Sequence, residues 1–155
     1  MEYEIILGNA DSETYIGAPG ADHWNVEFAD LNGDGRDDYM VVGDHGSLDL
    51  YLNTGSPGAV KPMWEPSGQV ATGVGRNFTL ADIDGDGRAD YLTWTEFGGL
   101  GGYLNVRDRK EAVPKWIEQD GDKSIAQGVG VDWRLCRLAD LTGDGKVDYA
   151  VIDGT

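Results

Sequence analysis

The chain has 155 residues, 24 of them glycine, and sets 12 basic side chains against 28 acidic ones for a formal charge of −16. That surplus of acid excludes the basic face a nucleic-acid binder needs and is repelled by an anionic membrane surface. With 40% apolar residues, five Trp, seven Tyr and three Phe, the chain also carries too much core-forming material for a disordered acidic tail.

From the N-terminus, Met1–Leu7 lacks the basic start and long apolar stretch of a secretory leader. No apolar run approaches the roughly 20 residues of a membrane helix. The expectation is an intracellular protein or a chain that begins after a removed segment. Residues Glu2–Asn9 read as a strand. Three acidic segments follow, beginning at Asp30, Asp82 and Asp140. They read Asp-Leu-Asn-Gly-Asp-Gly-Arg-Asp-Asp-Tyr, Asp-Ile-Asp-Gly-Asp-Gly-Arg-Ala-Asp-Tyr and Asp-Leu-Thr-Gly-Asp-Gly-Lys-Val-Asp-Tyr. The likeness extends beyond them. Phe28-Ala29, Leu80-Ala81 and Leu138-Ala139 precede the segments, and Tyr51-Leu52-Asn53 and Tyr103-Leu104-Asn105 follow the first two at one offset. Trp64 and Trp116 sit in matching stretches after Pro62 and Pro114.

Around each acidic segment the pattern is that of strands. Tyr39–Val42, Tyr91–Thr95 and Tyr149–Ile152 are rich in β-prone residues, and Ser47–Leu52 alternates as a half-buried antiparallel strand does. Glycines place turns at Gly43–Gly46 and Gly98–Gly102. Thr54–Pro66 and Val106–Pro114 read as loops. A strand entering the third loop is expected over Trp133–Leu138. Each repeat thus holds about four short strands in roughly 50–60 residues, the size of a propeller blade. The fold class is all-β, with four-stranded antiparallel blades and a single domain of three repeats over 1–155.

The acidic loops have the donor chemistry of calcium sites. Counting from the first Asp, oxygen side chains fall at positions 1, 3, 5 and 9: Asp30, Asn32, Asp34 and Asp38; Asp82, Asp84, Asp86 and Asp90; Asp140, Thr142, Asp144 and Asp148. Position 7 (Arg36, Arg88, Lys146) would add a backbone carbonyl, and the glycines at 4 and 6 let the chain curl around an ion. Hard oxygen donors suit Ca²⁺ over zinc or copper, and about three ions per chain are expected. The loops are not EF-hands, because position 12 is Val41, Thr93 or Val151 rather than Glu. The bland alternative is a set of solvated Asx-turns without metal.

This spacing, followed by a hydrophobic strand and repeated, resembles the FG-GAP/VCBS repeats found in integrin α-subunit propellers and in a fungal propeller lectin. The resemblance covers roughly residues 15–155 and implies that loops 30–38, 82–90 and 140–148 join two strands of a blade and bind Ca²⁺. It implies a secreted setting, against which stand the missing leader and the single free Cys136. The family's Gly-Ala-Pro occurs only at Gly17-Ala18-Pro19, ahead of the first loop rather than after its strand.

Three repeats fall short of a ring. The strand at 2–9 has the look of the one that should follow 149–155, so the expectation is a homodimer closing six blades.

The remaining candidates are few. Trp94 and Trp133 lack counterparts in every repeat and are the candidate sugar-stacking residues. His23 and His45 are the candidate catalytic groups, each more simply read as a loop histidine. Arg134 and Arg137 are expected to neutralise the acidic loops, and Cys136 to pack. By resemblance the function is a calcium-binding, lectin-like module for carbohydrate or a protein surface, with no nucleic-acid partner and no membrane insertion. The alternative is a small lyase, cyclase or hydrolase with its site in a channel or inter-blade pocket.

Overall fold

A computed structural model describes residues 5–6, 15–16, 21, 24–56, 63–106, 113–119 and 124–152. His23, Gly17–Pro19 and most of the strand expected at 2–9 lie outside the described residues. Among the described residues there are twelve strands: β1 (Ile5–Ile6), β2 (Tyr15–Ile16), β3 (Val26–Ala29), β4 (Asp38–Val42), β5 (Leu48–Asn53), β6 (Trp64–Ala71), β7 (Phe78–Ala81), β8 (Asp90–Trp94), β9 (Leu100–Asn105), β10 (Trp116–Glu118), β11 (Cys136–Ala139) and β12 (Asp148–Val151).

Strands β3-β4-β5-β6 form one four-stranded antiparallel blade and β7-β8-β9-β10 a second. The expected meander is therefore present twice. Strands β11-β12 form a two-stranded sheet, as do β1-β2. The registers repeat: Phe28 faces Tyr39 and Tyr39 faces Tyr51 in blade 1, and Leu80 faces Tyr91 and Tyr91 faces Tyr103 in blade 2. Each acidic loop joins the first two strands of its unit.

Burial explains the patterns. Strand β4 is central, and Asp38, Tyr39, Met40 and Val41 are all buried, so it reads as a continuous run. Strand β5 alternates, with Leu48, Leu50 and Leu52 buried between half-buried neighbours. The main core lies between the two complete blades: Leu31, Met40, Leu48 and Leu50 of the first pack with Ala89 and Tyr91 of the second. Two tryptophans pack between units. Trp116 of blade 2 donates from Nε1 to Val70 O of blade 1 at 2.8 Å, and Trp94 lies 5.9 Å from the Tyr149 ring of β12.

Three boundaries differ from expectation. Strand β6 begins at Trp64, inside the segment read as a loop; it is the outer strand, whose free edge tolerates Pro66, and its pairing with β5 shifts register twice. The turn read at Gly98–Gly102 ends by Gly99, and Gly101 and Gly102 belong to β9. A Cβ at Gly102 would sit 2.3 Å from Tyr91 O, so glycine serves close backbone approach there, not a turn. Trp133–Leu135 is a 3₁₀ turn, with Asp132 capping it by accepting from Arg134 N, and the strand starts at Cys136.

Candidate metal centre

The first Asp of each loop organises the turn. In loop two, Asp82 Oδ1 accepts from Gly85 N at 2.7 Å and Asp86 N at 3.2 Å, while Oδ2 accepts from Gly87 N at 2.8 Å. Asp30 takes Gly33 N and Gly35 N, both at 2.7 Å, and Asp140 takes Gly143 N at 2.6 Å and Gly145 N at 3.0 Å. The glycines at positions 4 and 6 all have φ between +72° and +87°, the left-handed values that curl each loop. The Gly145 N–H first, with its neighbours, holds the Asp140 carboxyl below its ordinary value.

Position 9 is the buried end of the loop. Asp38 accepts from Leu31 N at 3.1 Å and Asn53 N at 2.9 Å; Asp90 accepts from Ile83 N at 2.9 Å and Asn105 N at 2.8 Å. Burial pushes both carboxyls up to about 6 despite these donors, and the loop aspartates add repulsion. Asp148 Oδ2 takes Leu141 N at 2.8 Å and Thr142 N at 3.0 Å. The Asn of each Tyr-Leu-Asn is thus a partner of the position 9 Asp, a role the sequence reading missed. Its signal was the constant offset from the loop.

Among the described residues, Asp82, Asp84 and Asp86 bring one carboxylate oxygen each within 4.8 Å of one another. Oxygen bonds of about 2.3–2.6 Å to a single ion can span such a cluster. All donors are oxygen, and the loop's buried carboxylate lacks a full counter-charge, so the residues fit a hard divalent cation. The arginines at position 7 bond through their side chains. Arg88 Nη2 contacts the Asp86 carboxylate and its Nε donates to Asn105 O at 3.1 Å. Arg36 does the same with Asp34, at 2.5 Å, and with Asn53 O, at 3.1 Å.

The other candidates are scattered. His45 is exposed in the β4–β5 turn with φ +67°, and its carbonyl accepts from Gly75 N at 2.7 Å. Arg134 pairs with Asp132 at 2.8 Å and lies over the Trp133 ring at 5.4 Å. Arg137 donates to the carbonyls of Arg134 and Cys136. Among the described residues the bonds of these arginines stay within the 3₁₀ turn and its exit. Cys136 is buried and meets Tyr149 Oη at 2.9 Å, a contact that raises the Tyr149 hydroxyl to about 12. A cleft of about 340 Å³ opens between the blades, lined by Ala71–Val74 of blade 1 and Tyr91, Tyr103, Trp116 and Glu118 of blade 2. Trp94 and Trp133 are not among its lining residues.

Compared with known proteins, residues 30–93 match the model of the FG-GAP-like repeat. No curated protein and no solved structure matches the chain. The matched span runs from the first Asp of loop one through β4, β5 and β6 of blade 1, then β7 and loop two, into β8. Over that span the chain is similar to the FG-GAP-like repeat.

Proposed function

We propose that the chain is a β-propeller-type binding module whose loops each take one Ca²⁺, three per chain, and whose inter-blade cleft takes a carbohydrate. The observation carrying the metal reading is the Asp82, Asp84 and Asp86 cluster in a loop built three times over. Asp30, Asn32, Asp34 and Asp38 would hold the ion in loop one, and Asp140, Thr142, Asp144 and Asp148 in loop three, with the carbonyls of Arg36, Arg88 and Lys146 as further donors. The bound cation supplies positive charge that offsets repulsion among these carboxylates; it is a clip between strands.

The ligand reading rests on the cleft. Tyr91, Tyr103 and Trp116 give it aromatic walls, and Glu118, whose Oε1 accepts from Tyr103 Oη at 3.4 Å, gives it an exposed carboxylate. Aromatic faces beside a hydrogen-bond acceptor suit the apolar faces and hydroxyls of a sugar. A glycan array in calcium tests this, with Glu118→Gln as the variant. One class of sugar is expected to bind, about tenfold more weakly to Glu118→Gln. Equal binding by the variant, or no glycan binding, would exclude the cleft as a sugar site and leave a protein surface as the ligand.

A further inference from the structure

Successive units are bonded at two levels. Between strands and hairpins, Tyr91 Oη of blade 2 donates to Gly46 O of blade 1 at 3.0 Å, and Tyr149 Oη of β12 donates to Gly98 O of blade 2 at 2.9 Å. Other bonds join the acidic loops to one another. Ala89 N, at position 8 of loop two, donates to Asp30 O, at position 1 of loop one, at 2.7 Å. Val147 N, at position 8 of loop three, donates to Asp82 O, at position 1 of loop two, at 3.0 Å.

Both ends of these bonds sit beside proposed ion ligands. Position 1 is the residue that organises each turn: Asp30 Oδ1 takes Gly33 N and its Oδ2 takes Gly35 N. Position 8 lies between the position 7 carbonyl and the position 9 carboxylate. Arg88 adds a packing contact. A Cβ on Gly33 would sit 2.9 Å from its Cγ, so its stem lies on loop one while its guanidinium holds Asp86 of loop two. Lys146 lies against Gly85 in the same way, its Cγ 2.8 Å from a Cβ built there.

Asn105 tightens the first junction. Its backbone N–H donates to Asp90 Oδ1 at 2.8 Å, and its Nδ2 donates to Leu31 O at 2.9 Å and Ala89 O at 3.3 Å. One residue thus holds the position 9 carboxylate of loop two and the second residue of loop one. Asn53, its counterpart in blade 1, turns its Nδ2 to Asp37 O of its own loop, at 3.2 Å. The junction is buried: Leu31 is 0% exposed, Asn105 1% and Asp90 1%. Hydrogen bonds in such a setting are stronger than at a wet surface and costlier to leave unmade.

We propose that the loops fill cooperatively, each ion raising the affinity of the neighbouring loop, with Asn105 the positioning residue between loops one and two. The coupling rests on the calcium reading of the loops. An empty loop one frees the Asp30 and Leu31 carbonyls, and Ala89 and Asn105 then lose the acceptors that fix positions 7 to 9 of loop two. The first ion to bind orders the junction, and the second finds it already ordered. By linkage the effect is equal in both directions. Repulsion between two divalent ions acts the other way, so the sign of the effect separates bonded loops from independent cages.

Titration of the metal-stripped, isotope-labelled chain with calcium, followed by nuclear magnetic resonance at a temperature where that chain is folded, tests the coupling. The amide signals of Gly35, Gly87 and Gly145 report loops one, two and three. Asp34→Ala, which removes a ligand from loop one, is expected to raise the Gly87 midpoint about fivefold or more, and Asp84→Ala to raise that of Gly145. In an Asn105→Ala background the shift that Asp34→Ala causes at Gly87 is expected to shrink; a shift of full size there would overturn the part given to Asn105. A Gly87 midpoint that Asp34→Ala leaves unchanged or lowers would overturn the coupling and leave the calcium reading intact. No response at any of the three glycines in the unmutated chain would end both. Should Asn105→Ala fail to fold, the Asp34→Ala comparison decides alone.

Discussion

Removing calcium is expected to lower the melting midpoint by about 10 °C or more. A ligand that binds only the folded state stabilises it by about 2.7 kcal/mol at a hundredfold excess over its dissociation constant, for each site. A domain of this size shifts by about 2–4 °C per kcal/mol. Two or three filled loops would therefore supply a large part of the roughly 5–15 kcal/mol of total stability. The loops leave little positive charge to replace the ion: Asp38 and Asp90 remain buried with acidic neighbours, and among the described residues Asp34 and Asp86 have one arginine each as an ion-pair partner. Calorimetric melting of the metal-stripped protein, with and without added calcium, checks this. Superimposable curves would mean that the loops are self-sufficient turns.

The second large effect is expected from Leu31→Ala, a loss of about 2–5 kcal/mol. Leu31 is the residue just after the first Asp of loop one, a position that looks exposed in sequence. It is fully buried because blade 2 covers it, with Asn105 Nδ2 on its carbonyl and Ala89 N on that of Asp30. Truncation would empty the contact that transmits the loop's shape to the next blade. Urea unfolding in calcium measures the change. A loss below about 1 kcal/mol would show that the blades hold together without this contact.

The acidic loops and the central strands were legible because their chemistry is periodic. Oxygen side chains on alternate positions, glycines at 4 and 6, and apolar runs after Tyr39 and Tyr91 state their own roles. The outer strands were not. Strand β6 buries little and contains Pro66 and Gly68, residues that elsewhere mark a loop, and only its edge position tolerates them. The bonds between blades were hidden for another reason. Their acceptors are backbone carbonyls of Gly46, Val70 and Gly98, which no side chain announces. The cleft was missed because its aromatics recur. Trp116 and Tyr103 have counterparts in Trp64 and Tyr51, whereas the stacking candidates, Trp94 and Trp133, were chosen for lacking counterparts in every repeat. Trp116 both packs, through Val70 O, and lines the cleft.

Everything proposed for the loops depends on oxygen cages that close around a divalent ion. Isothermal titration of metal-stripped protein with calcium measures this directly. Saturable binding of three ions per chain is expected, and Asp84→Ala is expected to remove one of them while leaving the other two. Absence of saturable binding, or a stoichiometry that Asp84→Ala leaves unaltered, would contradict the account.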